Sequence, residues 1–129
     1  MDLAFENITR EIIGASFQVH RELGYGFLEK VYQRAMQVEL LHRGLKAEAE
    51  VALKVHYRGV VVGDYFADLL IENTVMVELK VAAGYCSRDE AQLINELKAT
   101  DVPVGLLINF GREKVEFKRL MSPNLLKRI

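Results

Sequence analysis

Apolar residues recur at three- and four-residue steps over residues 3–23, at Phe5, Ile8, Ile12, Ala15 and Val19. That spacing predicts a helix, and Gly24-Tyr25-Gly26 predicts its end. A second helix is expected from about Leu28 to Arg43. Leu28, Val31, Ala35 and Val38 form its apolar stripe, and Gly44 stops it. Two helices joined by a glycine turn suggest a helical hairpin.

The period then changes. Residues 50–57 alternate like a strand, Arg58-Gly59 is a turn signal, and Val60-Val61-Val62 is extended again. Gly63 and Asp64 open a third extended run, Tyr65 to Ile71, and Glu72-Asn73-Thr74 forms the next turn. The clearest strand is 75–81. Val75, Val77, Leu79 and Val81 share one face, and Met76, Glu78 and Lys80 the other. Ser87 with Glu90 reads as a capping box opening a helix over 88–99, which buries Ala91, Leu93 or Ile94, and Leu97. A short apolar strand at 102–109 and a last strand at 114–120 follow. The order predicts an α/β sandwich, a mixed sheet with helices on both faces. The passage from strand 75–81 through the helix to strand 102–109 is expected to be a parallel crossover.

Composition narrows the class. At 129 residues, half of them hydrophobic and 27% charged, the chain is expected to form one folded domain over 1–129. No apolar run approaches the roughly 20 residues of a membrane span. The start, Met1-Asp2-Leu3-Ala4-Phe5-Glu6, does not look like a secretory signal. A lone cysteine, Cys86, excludes an intramolecular disulfide and a multi-cysteine zinc site. The expected setting is cytoplasmic. Net charge is −1, so bulk electrostatics do not advertise a polyanion partner. Residues 112–129 are basic, with Arg112, Lys114, Lys118, Arg119, Lys127 and Arg128 against Glu113 and Glu116. Such a tail reads first as solvated surface, with phosphate contact as the alternative.

Glu78 and Lys80 are out of place in so apolar a strand. Burying an ion costs several kcal/mol unless it is paired or bound. The two form either a structural ion pair or a metal ligand beside a cation that positions water. Asp68, mid-strand where aspartate is disfavoured, bears on the choice. A two-residue turn at 72–73 would point Asp68 away from Glu78. An odd-length loop, such as Glu72-Asn73-Thr74, or a bulge, sets them opposite on one face. Two adjacent carboxylates repel, and a divalent cation with oxygen ligands relieves that repulsion.

These residues fall in a familiar order. Gly26-Phe27-Leu28-Glu29-Lys30-Val31-Tyr32 fits Gly-x-x-Glu-x-x-Tyr. It is followed by Ala67-Asp68-Leu69, Val77-Glu78-Leu79-Lys80, Glu90-Ala91-Gln92-Leu93 and Gly105-Leu106-Leu107-Ile108-Asn109-Phe110-Gly111. Over roughly residues 5–120 the chain resembles the GxxExxY protein family, which is assigned to the PD-(D/E)XK nuclease superfamily. The resemblance implies a restriction-endonuclease-like core. It implies catalytic roles for Asp68, Glu78, Lys80, Gln92 and Glu29, and a Mg²⁺ (or Mn²⁺) site made by Asp68, Glu78 and Glu29. Tyr32 and Asn95 are then candidates for contacting substrate, with nucleic acid, DNA in particular, as the partner. Ala67 stands where the superfamily's motif has proline, and Asp89 where members often carry histidine.

Each residue also has an ordinary reading. Glu29 begins a helix, where a carboxylate is favoured by the dipole. Tyr32 is equally a packing residue, and Gln92 and Asn95 fit a polar helix face. His20, His42 and His56 have no ligand spacing, Cys86 reads as inert, and Gly24 and Gly26 are turn formers. The rival to a nuclease is a non-catalytic nucleic-acid-binding or protein-interaction module that keeps the fold. The small size suggests a homodimer or a larger partner.

Overall fold

The structure, a computed structural model, describes residues 3–84 and 86–126. Helices α1 (Leu3–Leu23) and α2 (Glu29–His42) precede three strands, β1 (Ala47–Tyr57), β2 (Val60–Ile71) and β3 (Val75–Lys80). Helix α3 (Ser87–Ala99), strands β4 (Val104–Asn109) and β5 (Glu116–Met121), and the short α4 (Pro123–Leu126) complete the order. The five strands lie in chain order across one mixed sheet, antiparallel except for the parallel pair β3–β4. The α/β architecture and the parallel crossover agree with the sequence reading. None of the described helices is long and apolar enough to cross a membrane.

The alternation on β3 sorts the core into two layers. Val75, Val77 and Leu79 pack with Ile12, Val19, Tyr32, Met36 and Leu40 of α1 and α2. Met76, on the other face, packs with Leu93 and Leu97 of α3. β4 lies between β3 and β5 and is buried along its whole length, as its continuous apolar run predicts.

Several local expectations are corrected. The buried face of α2 is Tyr32, Gln33, Met36 and Leu40, while Leu28 and Val38 are exposed. The stripe Leu28-Val31-Ala35-Val38 has equally good helical spacing, so periodicity could not choose between the two faces. The Ser87–Glu90 capping box does not form. Cys86 occupies the N-cap position without a side-chain bond, and Glu90 instead pairs with Lys118. Ala91 is exposed. Gly63 and Asp64 do not interrupt β2. The ladder absorbs them with a register shift at Val55/His56. Helix α4 had no periodic signal.

Asn109 and Gly111 tie the ends of the two central strands together. The Asn109 amide donates to Ala82 O, and its carbonyl accepts from Ala82 N–H and Gly111 N–H, each at 2.9 Å. A Cβ on Gly111 would stand 2.5 Å from backbone atoms of Ala82. Only glycine permits that approach. Gly111→Ala must therefore force apart the segments following β3 and β4. A cost of about 3 kcal/mol, or a fall of roughly 10 °C in melting temperature, is expected by thermal denaturation. An unchanged melting temperature would show that the approach is not a structural requirement.

Candidate active site

Strands β2 and β3 pair at Ile71↔Val75, Leu70↔Met76 and Leu69↔Val77, so the loop between them is the three residues 72–74. Glu72 and Asn73 both take left-handed backbone angles, with φ 52° and 56°. The odd-length loop required for a shared site is present. One further step of the register sets Asp68 opposite Glu78.

The backbone ladder stops before that step, at Leu69↔Val77, and the side chain of Asp68 continues it. Its Oδ2 accepts the Leu79 N–H at 2.7 Å. The strands also change face here. Leu69 packs in the α1/α2 layer, whereas Ala67, two residues earlier, packs in the α3 layer. Glu50, on the neighbouring strand between the pairs Ala49↔Leu69 and Val51↔Ala67, has φ 53°. Asp68 thus sits where regular pairing gives way, which explains an aspartate in mid-strand.

Glu78 lies on the α3 face, and its Oε1 is buried with no hydrogen-bond partner. Its pKa is pushed up to about 9, first by burial, then by the charges of Asp68 and Glu96, against a smaller opposing effect from Lys80. Lys80 pairs with Asp89 at 3.8 Å. Glu29, at the first turn of α2, has its pKa raised by burial and by Asp68, while Lys80 and Lys30 act the other way. Glu29 and Asp68 line one cleft together with Lys30, Gln33, Glu50, Phe66 and Ala67. The structure therefore gathers Asp68, Glu78, Lys80 and Glu29 into one electrostatic neighbourhood.

Two acids of that neighbourhood were missed. Glu96 is 5% exposed with an unpartnered Oε2, and its pKa is raised by burial, with Lys80 opposing and Asp68 reinforcing the shift. Asp89 is the ion-pair partner of Lys80. They stand seven residues apart on α3, hence on one face, a spacing that could have found them.

Other candidates stand apart. Tyr32 is fully buried and stacks on Phe110 at 4.7 Å. Its hydroxyl donates to Gly24 O at 2.6 Å and accepts the Phe27 N–H at 3.4 Å. It fastens the loop leading to Glu29, and its hydroxyl is engaged on both sides there. Gln92 and Asn95 are exposed and line a groove on α3 with Arg88, Tyr65 and Glu96. Gln92 lies one helical turn before Glu96. Among the described residues, no three His, Cys, Asp or Glu side chains are grouped so as to hold a metal ion. The donor set is a carboxylate pair with further acids around it. It suits a hard cation that keeps several waters, since such a cation takes oxygen ligands and needs only one or two carboxylates.

A model of the PD-(D/E)XK nuclease superfamily matches residues 6–120. A solved structure, the crystal structure of SSO0001, is 16% identical with a TM-score of 0.56, and the match covers 73% of this chain and 50% of that one. This likeness concerns the fold, and the chain spans half the length of that neighbour. No curated protein matches.

The raised pKa of Glu78 fixes a pH dependence. In the unfolded chain this carboxyl ionises near its ordinary value of 4.5, and in the fold near 9. Between those values the folded state binds the extra proton, so stability falls as pH rises through the window. In EDTA, the melting temperature should decline from pH 5 to about pH 9, and Glu78→Gln should flatten most of that decline. An equal slope in the variant would contradict the assignment.

Proposed function

Because the chain belongs to the PD-(D/E)XK nuclease superfamily, we propose that it is a metal-dependent nuclease of the GxxExxY kind, a single domain hydrolysing phosphodiester bonds in DNA. Nucleases of this superfamily generally use divalent metals. The observation that carries the reading is the buried, unpartnered Oε1 of Glu78 beside Asp68. Two ionised carboxylates set this close would be costly; in the bare fold a proton held by Glu78 offsets that cost, and a cation would take its place.

Asp68 and Glu78 would hold Mg²⁺ or Mn²⁺, with Glu29 at the outer side. When bound, the ion supplies positive charge to a phosphodiester oxygen and acidifies a water. Lys80, two residues from Glu78 on the same strand face, orients that water or stabilises the charge growing on the phosphate. Its ammonium is ion-paired with Asp89, with Glu96 nearby. Gln92 and Asn95 offer polar contacts from the exposed face of α3. A homodimer would supply the surface that one small domain lacks for a duplex. A cytoplasmic setting agrees with the lone cysteine.

Cleavage of single-stranded, duplex and branched DNA with Mn²⁺ tests this. Lys80→Ala should lower the rate by about 10²–10³-fold. Cleavage unaffected by that change would identify a contaminant and favour a non-catalytic binding module. In the same preparations, saturating Mg²⁺ or Mn²⁺ should raise the melting temperature of the wild type, the stabilisation amounting to about 2.7 kcal/mol at a hundredfold excess over Kd. Glu78→Gln should show no rise. An equal rise in Glu78→Gln would place the cation elsewhere.

A further inference from the structure

The cleft shared by Glu29 and Asp68 has a volume of about 420 Å³, within the roughly 300–1,000 Å³ typical of small-molecule sites. Two of its residues have no assigned work. Gln33 is 5% exposed yet makes no hydrogen bond with the described residues, although it lines the cleft. Its amide, with one acceptor and two donors, opens onto the cleft, where none of the described residues bonds it and water is its only partner. Phe66 is 65% exposed on the same cleft and makes no ring contact with the described residues. A large apolar ring left open beside an unused amide makes a matched pair of contacts, one for a flat face and one for a polar edge.

The charges in the cleft narrow the occupant. Glu29, Glu50 and Asp68 line it against Lys30, and Lys30 is already ion-paired with Glu50. An anion alone would be repelled, whereas a neutral heteroaromatic ring would not. We infer that this cleft is a nucleobase subsite, in which an unpaired base flanking the scissile phosphate stacks on Phe66 and presents its edge to the Gln33 amide. The inference rests on the nuclease reading and adds its substrate class, a nucleic acid with at least one unpaired nucleotide. In a duplex both faces of each base are already stacked and the pairing edge is occupied, so neither contact is available there.

Fluorescence anisotropy of a short labelled single strand and of its duplex, with Ca²⁺ in place of Mg²⁺, tests the subsite apart from catalysis. Phe66→Ala removes an exposed side chain, so the fold should persist, as a melting curve will verify. Phe66→Ala should weaken single-strand binding by about tenfold, the scale of one lost base–aromatic stack. Phe66→Trp should restore it, and duplex binding should not change. Gln33→Leu should even out the affinities for oligo-dA, oligo-dC and oligo-dT. Wild-type single-strand affinity in Phe66→Ala, an equal loss for single strand and duplex, or no single-strand binding by the wild type would each overturn the subsite. Mn²⁺ cleavage that Lys80→Ala abolishes, combined with no effect of Phe66→Ala, would remove the subsite and leave the nuclease. Phe66-dependent binding without any cleavage would do the reverse.

Discussion

Two carboxylates on neighbouring strands, one of them with an oxygen that no donor reaches, set the terms for the rest of this molecule. Two carboxylates set this close, one with a buried oxygen, call for a proton between them or a cation upon them. The fold brings the pair together by a short device. A three-residue loop fixes the β2–β3 register, and regular pairing gives way one step before Asp68. There the aspartate itself takes the Leu79 N–H, and Glu78 faces the space that remains.

The surrounding scaffold holds that geometry from several sides. Tyr32, pressed between Phe110 and the glycine loop, ties the start of α2 and so places Glu29. Asn109 and Gly111 bind the segments beyond β3 and β4 and so limit where the strand end carrying Lys80 can go. Helix α3 brings Asp89 and Glu96 to the lysine from the opposite layer. Asp68 and Glu96 both disfavour an ionised Glu78.

Much of this was legible in the chain because strand alternation is strict. The period of two placed Glu78 and Lys80 on one face of β3, and loop arithmetic decided whether Asp68 could join them. Helical periodicity was less decisive. Leu28 and Val38 have the spacing of a core stripe, yet both face solvent, because α2 presents Tyr32, Met36 and Leu40 to the sheet. Glu96 escaped notice because an acid in a polar helix looks ordinary until the fold buries it. Gln33 and Phe66 escaped for a related reason: neither residue type announces a site, and only the cleft makes an unused amide and an open ring significant. Glu50 carried no sequence signal for its left-handed backbone, which accompanies the change of face at Asp68.

A cation shared by Asp68 and Glu78 is what the proposed chemistry requires. Anomalous diffraction from crystals grown with Mn²⁺ measures that position directly. A peak is expected within coordination distance of both carboxylates, next to the Lys80 ammonium. Strong Mn²⁺ peaks elsewhere and none at this pair, in crystals soaked to saturation, would contradict a shared cation.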